Sequence, residues 1–276
     1  RNGSDIDFVT TKSAESKAAE ERLGGTLAGS AEISGKLFSP SGKVRLNLSR
    51  GYFRNYAFDK LDLSASFNKD KVKIDRVILA KERGNLNIAG DYAFSGGLFF
   101  SITATNFPAD ILSLAFPGKQ FSGLFNLNAG VDGPIENPRI SLSAAGNGLG
   151  LDGIVFDRAM LSVTKKDDML YLHELSLIEG SLLSSAYGSI SFRRRGPIDI
   201  EANLKGNSVG LLNLLTNDFR WLSGNSSVSL KASGTLAKPQ INGKAFLSRA
   251  AIRLYAIDSV VRDLQGSAEV RGNVLE

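Results

Sequence analysis

The feature that most narrows what this chain can fold into is its similarity to itself at a fixed distance. Phe58-Asp59-Lys60 and Phe156-Asp157-Arg158 lie 156 − 58 = 98 positions apart. At that offset Gly35 falls on Gly133, Pro40 on Pro138, Leu63 on Leu161, and Asn68-Lys69-Asp70 on Lys166-Asp167-Asp168. Val72 and Ile74 then meet Leu170 and Leu172, Gly90 meets Gly188, and Phe94 meets Phe192, all without a gap. A second register, 239 − 138 = 101, carries Gly133 onto Gly234, Pro138 onto Pro239 and Ile140 onto Ile241. Read backwards, it sets Ile111 on Leu212 and Gly123 on Gly224. The 276 residues therefore read as a leading segment, 1–25, two complete units, 26–122 and 123–223, and the start of a third, 224–276. Such repetition means that one supersecondary unit is used again, stacked on its neighbours.

Within a unit, apolar and polar residues alternate. Val44-Arg45-Leu46-Asn47-Leu48, Leu61-Asp62-Leu63-Ser64-Ala65, Phe125-Asn126-Leu127-Asn128-Ala129 and Ile198-Asp199-Ile200-Glu201 all have period two. That period gives strands with one oily and one wet face, as in antiparallel sheets, rather than the continuous apolar runs of buried parallel strands. Asn68-Lys69-Asp70-Lys71 and Lys165-Lys166-Asp167-Asp168 read as hairpin turns. One segment per unit breaks the alternation. Ala109–Phe116 behind Pro108, and Ser208–Leu215, have helical spacing, so each unit is expected to carry one short amphipathic helix. Ser4–Thr11 can form a strand, and the polar Lys12–Arg22 stretch favours an exposed helix or loop.

The chemistry of catalysis is thin. With no cysteine, disulfides, thiolate metal sites and thiol nucleophiles are excluded. A net charge of +5, with Lys and Arg scattered among acids, gives no nucleic-acid footprint. The single histidine, His173, falls on Asp75 at the repeat offset, so the unit does not require imidazole. Gly206-Asn-Ser208-Val-Gly210 matches a nucleophile-elbow pattern, but no histidine follows it, and it reads as a strand-to-helix turn. Gly146-Asn-Gly148-Leu-Gly150 lacks a following helix and reads as a loop or bulge between strands. There is no phosphate-binding loop, no metal-ligand cluster and no apolar run of about 18 residues. No enzymatic activity, cofactor or metal is expected. Arg193-Arg194-Arg195, before Gly196-Pro197, is the sharpest charge cluster: an exposed turn, or a contact for lipid phosphates. Trp221 and Phe99-Phe100 read as core anchors or as gates of a groove.

The glycine-to-proline strand openers carry a resemblance. Gly35-Lys-Leu-Phe-Ser-Pro40, Gly133-Pro-Ile-Glu-Asn-Pro-Arg-Ile140 and Gly234-Thr-Leu-Ala-Lys-Pro-Gln-Ile-Asn-Gly243 precede alternating strands and glycine-led strands such as Ala89-Gly90-Asp91-Tyr92. In this the chain resembles the AsmA-like/TamB superfamily of Gram-negative envelope proteins from residue 26 onward. The family's membrane anchor and barrel-contacting terminus are not seen, so the segment is expected to come from the middle of a longer protein.

The resemblance implies an elongated, curved antiparallel sheet folded like a taco (a β-taco) around an open hydrophobic groove. It also implies likeness to bridge-like lipid transfer proteins. It further implies a periplasmic location, in a protein anchored in the inner membrane and contacting an outer-membrane β-barrel protein. On that basis the groove would conduct phospholipid acyl chains between the two membranes. Candidate groove-lining residues are Val44, Leu46, Leu48, Leu61, Leu63, Leu86, Ile88, Phe125, Leu127, Leu161, Val163, Leu170, Leu172, Ile198 and Ile200. Acyl chains ask only for a dry surface. At about 0.8 kcal/mol per methylene, a long chain gains on the order of ten kcal/mol on leaving water. Two alternatives stand beside this reading. One is a scaffold that assists outer-membrane protein or autotransporter assembly by strand pairing. The other is a closed β-sandwich in which the same alternation makes ordinary core.

Overall fold

The computed structural model describes residues 4–11, 23–36, 39–214 and 219–275. The expected helix or loop at Lys12–Arg22 and the final helical residue Leu215 lie outside them. The chain is mainly β, as its alternation requires, and among the described residues the ladders are antiparallel. It divides into two compact units, Arg1–Pro117 with Leu124–Ser141, and Gly118–Gly123 with Leu142–Glu276.

The first unit is a meander. β1 (Ser4–Thr11), β2 (Leu23–Lys36), β3 (Ser39–Phe53), β4 (Tyr56–Phe67), β5 (Lys71–Lys81), β6 (Gly84–Ala93), β7 (Gly97–Pro108) and β8 (Phe121–Pro134) each pair with the next. A 3-10 helix, η1 (Ala109–Leu114), joins β7 to β8. β9 (Arg139–Leu151) leads into the second unit. There β10 (Ile154–Lys166), β11 (Met169–Glu179), β12 (Leu182–Ser191) and β13 (Ile198–Lys205) continue the meander. After the 3-10 helix η2 (Gly206–Leu214) come β14 (Phe219–Ser223), β15 (Ser227–Thr235) and β16 (Lys238–Leu254). A short 3-10 turn, η3 (Tyr255–Ile257), is followed by β17 (Ser259–Arg271) and β18 (Val274–Leu275). β13 pairs directly with β15, and β16 is long enough to pair with β15, β14 and β17. Among the described residues no ladder returns from β8 to β1, or from β17 to β10, so neither unit closes into a barrel.

Both short helices are 3-10 rather than α-helical, and η1 stops at Leu114, short of the expected Phe116. A connector pinned between two strands must cover distance with few residues, and the 3-10 rise of about 2.0 Å per residue does that better than the α rise. Pro108 is extended and lies before the helix rather than in its first turn.

The repeat signature has a physical basis. Phe58 and Phe156 are buried. The aspartates that follow them accept from the backbone N–H of the turn two strands on, Asp59 from Glu82 at 2.6 Å and Asp157 from Gly180 at 2.7 Å. The β-bulges at Ser64/Ala65 and Ile74/Val77 recur at Ser162/Val163 and Leu172/Leu175, each 98 positions on. Gly90 and Gly188 answer the same need. A Cβ there would stand 2.1 Å from the carbonyl oxygen of Phe99 or Asp199 on the neighbouring strand.

Candidate functional site

The ladder register lines the alternating residues up in rows across each sheet. In the first unit one row runs Leu46–Leu63–Val77–Ile88–Ile102–Ala129, strand to strand. The row beside it runs Val44–Ala65–Ile74–Gly90–Phe100–Val131, and the one on the other side Leu48–Leu61–Leu79–Leu86–Ala104–Leu127. In the second unit the rows are Leu161–Leu175–Ala186–Ala202–Leu230 and Val163–Leu172–Gly188–Ile200–Ala232. Leu170–Ile190–Ile198 forms a third. Each row lies on one face, because successive residues of a strand point to opposite sides and the bulges restore the phase.

Burial divides each face in two. At the helix-bearing end it is sealed. In the first unit Tyr56, Phe58, Phe107 and Ala109 are buried, Phe107 completely, with its ring edge-on to Phe125 at 6.2 Å. In the second, Val209 of η2 and Trp221 pack with Ile154, Phe156, Leu177, Leu204, Val228 and Ala250 as one core. Away from the helices the same strands carry large apolar side chains that are mostly half-buried, Leu46, Leu63, Val77, Ile88 and Ile102 in one unit and Leu161, Val163, Leu172 and Ile200 in the other, although Ala129, Ala186 and, at the far rim, Ile198 are buried. A side chain on a single sheet loses much of its exposure to its flanking neighbours alone. The contrast along one strand therefore reports whether a layer lies above it.

Of the candidate residues, Leu48, Phe125 and Ile198 are buried, while Val44, Leu46, Leu61, Leu63, Leu86, Ile88, Leu127, Leu161, Val163, Leu170, Leu172 and Ile200 are half-buried. The rows also contain residues that the alternation did not single out as candidates: Ile74, Val77, Phe100, Ile102 and Val131. In β5 the bulge puts Ile74 and Val77 three apart, so period two breaks in the sequence although the face is continuous. In β7 the Phe99-Phe100 pair hides the phase. Phe99 sits 59% exposed on the wet face, and Phe100 lies in the apolar row.

The opposite faces are hydrophilic and cross-linked. Asn47 donates to Asp62, and Lys60 pairs with the same carboxylate at 2.7 Å. Lys60, followed by Asn47, holds that carboxyl below its ordinary range. Lys231 lies 2.7 Å from Glu201, which also accepts from Tyr187, and the Lys231 bond is the larger cause of the lowered Glu201 pKa. Depressions on these wet faces, about 450 Å³ around Lys43, Ser66 and Lys73 and about 720 Å³ around Glu201, Lys231 and Lys244, are rimmed by charge. The second also has Phe246 in its lining, 56% exposed.

The sequence motifs that suggested chemistry take structural places. Ser208 is 1% exposed, its hydroxyl 2.5 Å from that of Ser184 and donating to the Lys205 carbonyl at 2.6 Å. Gly210 stands where a Cβ would meet Ile154 Cδ1 at 2.0 Å. Gly146–Gly150 lies inside β9, not in a loop, and only Gly148 departs from strand geometry, at φ 61°. His173 is exposed, with Nε2 2.9 Å from Thr164 Oγ1 and its ring stacked on Tyr171. Trp221 is core. Among the described residues no group of three potential metal ligands is found, and no helix is long and apolar enough to cross a membrane.

Fold and site together define a repetitive, mainly antiparallel β protein whose sheets have a hydrophilic face and an apolar face most deeply buried at the helix-bearing end. No family model and no solved structure matches the chain. Over 80 residues, 29% of the chain, it is 29% identical to Protein TIC236, chloroplastic, of Arabidopsis thaliana. The match spans 4% of that protein's length, so this chain corresponds to a small part of it.

Proposed function

We propose that the half-open apolar faces hold the acyl chains of phospholipids, and that the chain is an envelope segment along which lipid passes between two membranes. One observation carries this: apolar rows that are sealed beneath η1 and η2 stay half-exposed beyond them, on the same strands. A row of Leu, Ile and Val without convergent polar groups suits methylene chains and little else. Neighbouring rows of like chemistry let a chain shift without crossing water. The resemblance of the strand openers supports the wider setting, a periplasmic stretch of a protein anchored in the inner membrane and reaching an outer-membrane barrel. A chloroplastic relative is in keeping with an envelope role, since a chloroplast, like a Gram-negative cell, is bounded by two membranes.

The test is photo-crosslinking from Leu63, Leu127 and Leu161, with Asn87 on the wet face as control, in cells and on protein purified without detergent. Phospholipid adducts at the three apolar positions and none at Asn87 are expected. Adducts at none of the three overturn the reading.

A second reading, a scaffold for β-strand assembly, has one observation in its favour. Among the described residues, β17 from Ser259 to Glu269 pairs only with β16, leaving its outer edge free to take a strand. Capture of unfolded barrel peptides, with no lipid adduct, is the result that selects it.

A further inference from the structure

The two repeat offsets, 98 and 101, differ because residues have been added, and the structure shows where most of them went. In the first unit the β6–β7 tip is short: the Gly96 N–H donates to Ala93 at 2.8 Å, and the Gly96 carbonyl accepts from Ile135. In the second unit the corresponding bonds run from Gly196 to Arg193, and from Leu236 to the Gly196 carbonyl. Phe94 and Gly96 are two apart, whereas Phe192 and Gly196 are four apart. The two added residues fall within Arg193-Arg194-Arg195.

The enlarged tip is a built turn. Ser191 is buried; its N–H donates to the Pro197 carbonyl at 2.9 Å and its Oγ accepts from the Arg193 N–H at 3.1 Å. Arg193 reaches across to the next hairpin and pairs with Asp168, donating from Nε at 2.5 Å. That contact neutralises Asp168 and fixes the tip. Arg194 and Arg195 stay exposed, and among the described residues neither forms an ion pair. Lys166 and Lys238, exposed on the flanking tips, add to them against the lone carboxylate of Asp167.

The position matters as much as the charge. Ala186, Gly188 and Ile190 share the apolar side of β12, and Phe192, just past the strand's end at Ser191, is 57% exposed beside the arginines. The six steps from Ala186 to Phe192 cover about 20 Å at about 3.3 Å each, against about 15 Å for half of a ~30 Å bilayer core. A lipid with its phosphate at this rim therefore has a tail short enough to lie wholly along β12.

Building on the lipid-binding reading, we propose that the Arg193–Arg195 tip is a headgroup site that gives the second unit a preference for anionic phospholipid. Guanidinium groups suit the phosphodiester and the added negative charge of such a headgroup.

The experiment compares extraction of fluorescent phosphatidylglycerol and phosphatidylcholine from vesicles by the full chain and by an Arg194→Gln/Arg195→Gln variant, with folding checked by circular dichroism. The wild-type chain should favour phosphatidylglycerol. The variant should lose that preference by about thirtyfold, the product of two basic residues beside an anionic surface, with a clearly smaller loss for phosphatidylcholine, whose phosphodiester is offset by its choline. The preference should also fade at high salt. Equal extraction of both lipids by the wild-type chain, or an equal loss of both in the variant, overturns the headgroup site while leaving the apolar face intact. Competition by inorganic phosphate at millimolar concentration, equal to that by the lipid, overturns it in favour of a free-phosphate site. Extraction of neither lipid by the wild-type chain overturns the underlying reading instead.

Discussion

Leu63→Glu separates an open apolar face from a sealed one. Leu63 lies mid-row between Leu46 and Val77 and is half-buried. If a second layer covered the row, the carboxylate would be buried without a partner, at a cost of about 3–5 kcal/mol. On an open face the glutamate keeps its methylenes on the sheet and lifts its charge into water. The loss is then part of a leucine's burial, about 1 kcal/mol. At about 3 °C per kcal/mol for a chain of this size, the open face gives a Tm lower by about 3 °C. The internal standard is Phe107→Ala, at a site with 0% exposure, which should cost about 3–5 kcal/mol and about 10 °C or more. Thermal melts give the stabilities, and native mass spectrometry of detergent-free protein gives bound lipid. Leu63→Glu should be well folded and depleted of lipid. A Leu63→Glu protein as unstable as Phe107→Ala, or one carrying its full complement of lipid, refutes the argument.

Removing the turn-capping carboxylates, Asp59→Ala or Asp157→Ala, leaves the Glu82 or Gly180 N–H without its partner and should cost about 1 kcal/mol each by denaturant titration. Ser208→Ala removes the Ser184 hydroxyl's 2.5 Å partner, but the Lys205 N–H keeps Ser184 Oγ at 2.8 Å, so it should destabilise by only about 1 kcal/mol. Neither it nor the wild-type chain should hydrolyse activated esters in a spectrophotometric assay. Asp62 has a folded-state pKa below its ordinary 3.8, so it favours the folded state above that pH, and the benefit disappears as pH falls through the folded value. Asp62→Asn should therefore melt lower than wild type at pH 7 and converge with it as the pH falls below the folded-state value.

What could be read from the residues alone depended on local geometry. Alternation in Val44–Leu48 or Phe125–Ala129 fixes a strand and its two faces, because a pleated backbone offers no other outcome. The repeat was legible because its markers, Phe58-Asp59 and Gly90, are fixed by a buried ring, a capped turn and a close strand approach. The helix type was not legible: Ala109–Leu114 has α-like apolar spacing, but its length and span are set by the strands it connects. The full rows were hidden too, because the extra residues at the β5 and β11 bulges reverse the sequence phase while preserving the spatial one.

Whether an apolar face is core or trough is the point on which alternation is silent, since Leu63 and Phe58 follow the same rule and meet different surroundings. The difference comes from η1 and η2, segments of six and nine residues that cover one end of each sheet and no more. A protein selected only for stability gains by extending that cover, because each additional buried leucine adds about 1.5–3 kcal/mol when fully enclosed. Here the cover is short in both units, and it is anchored from homologous places. Lys81, at the end of β5, holds Asp110 of η1 at 2.5 Å, and Glu179, 98 positions on, accepts from Asn207 of η2 at 2.6 and 2.9 Å. The side chains have changed from cation–carboxylate to carboxylate–amide and the helix has grown from six residues to nine, yet the anchoring position at the strand end has not moved. Side-chain chemistry and helix length vary between the units while half-buried apolar rows beyond the helix persist in both, which is the outcome expected if the open part of the face, rather than the core beneath the helices, is what the fold is built to present.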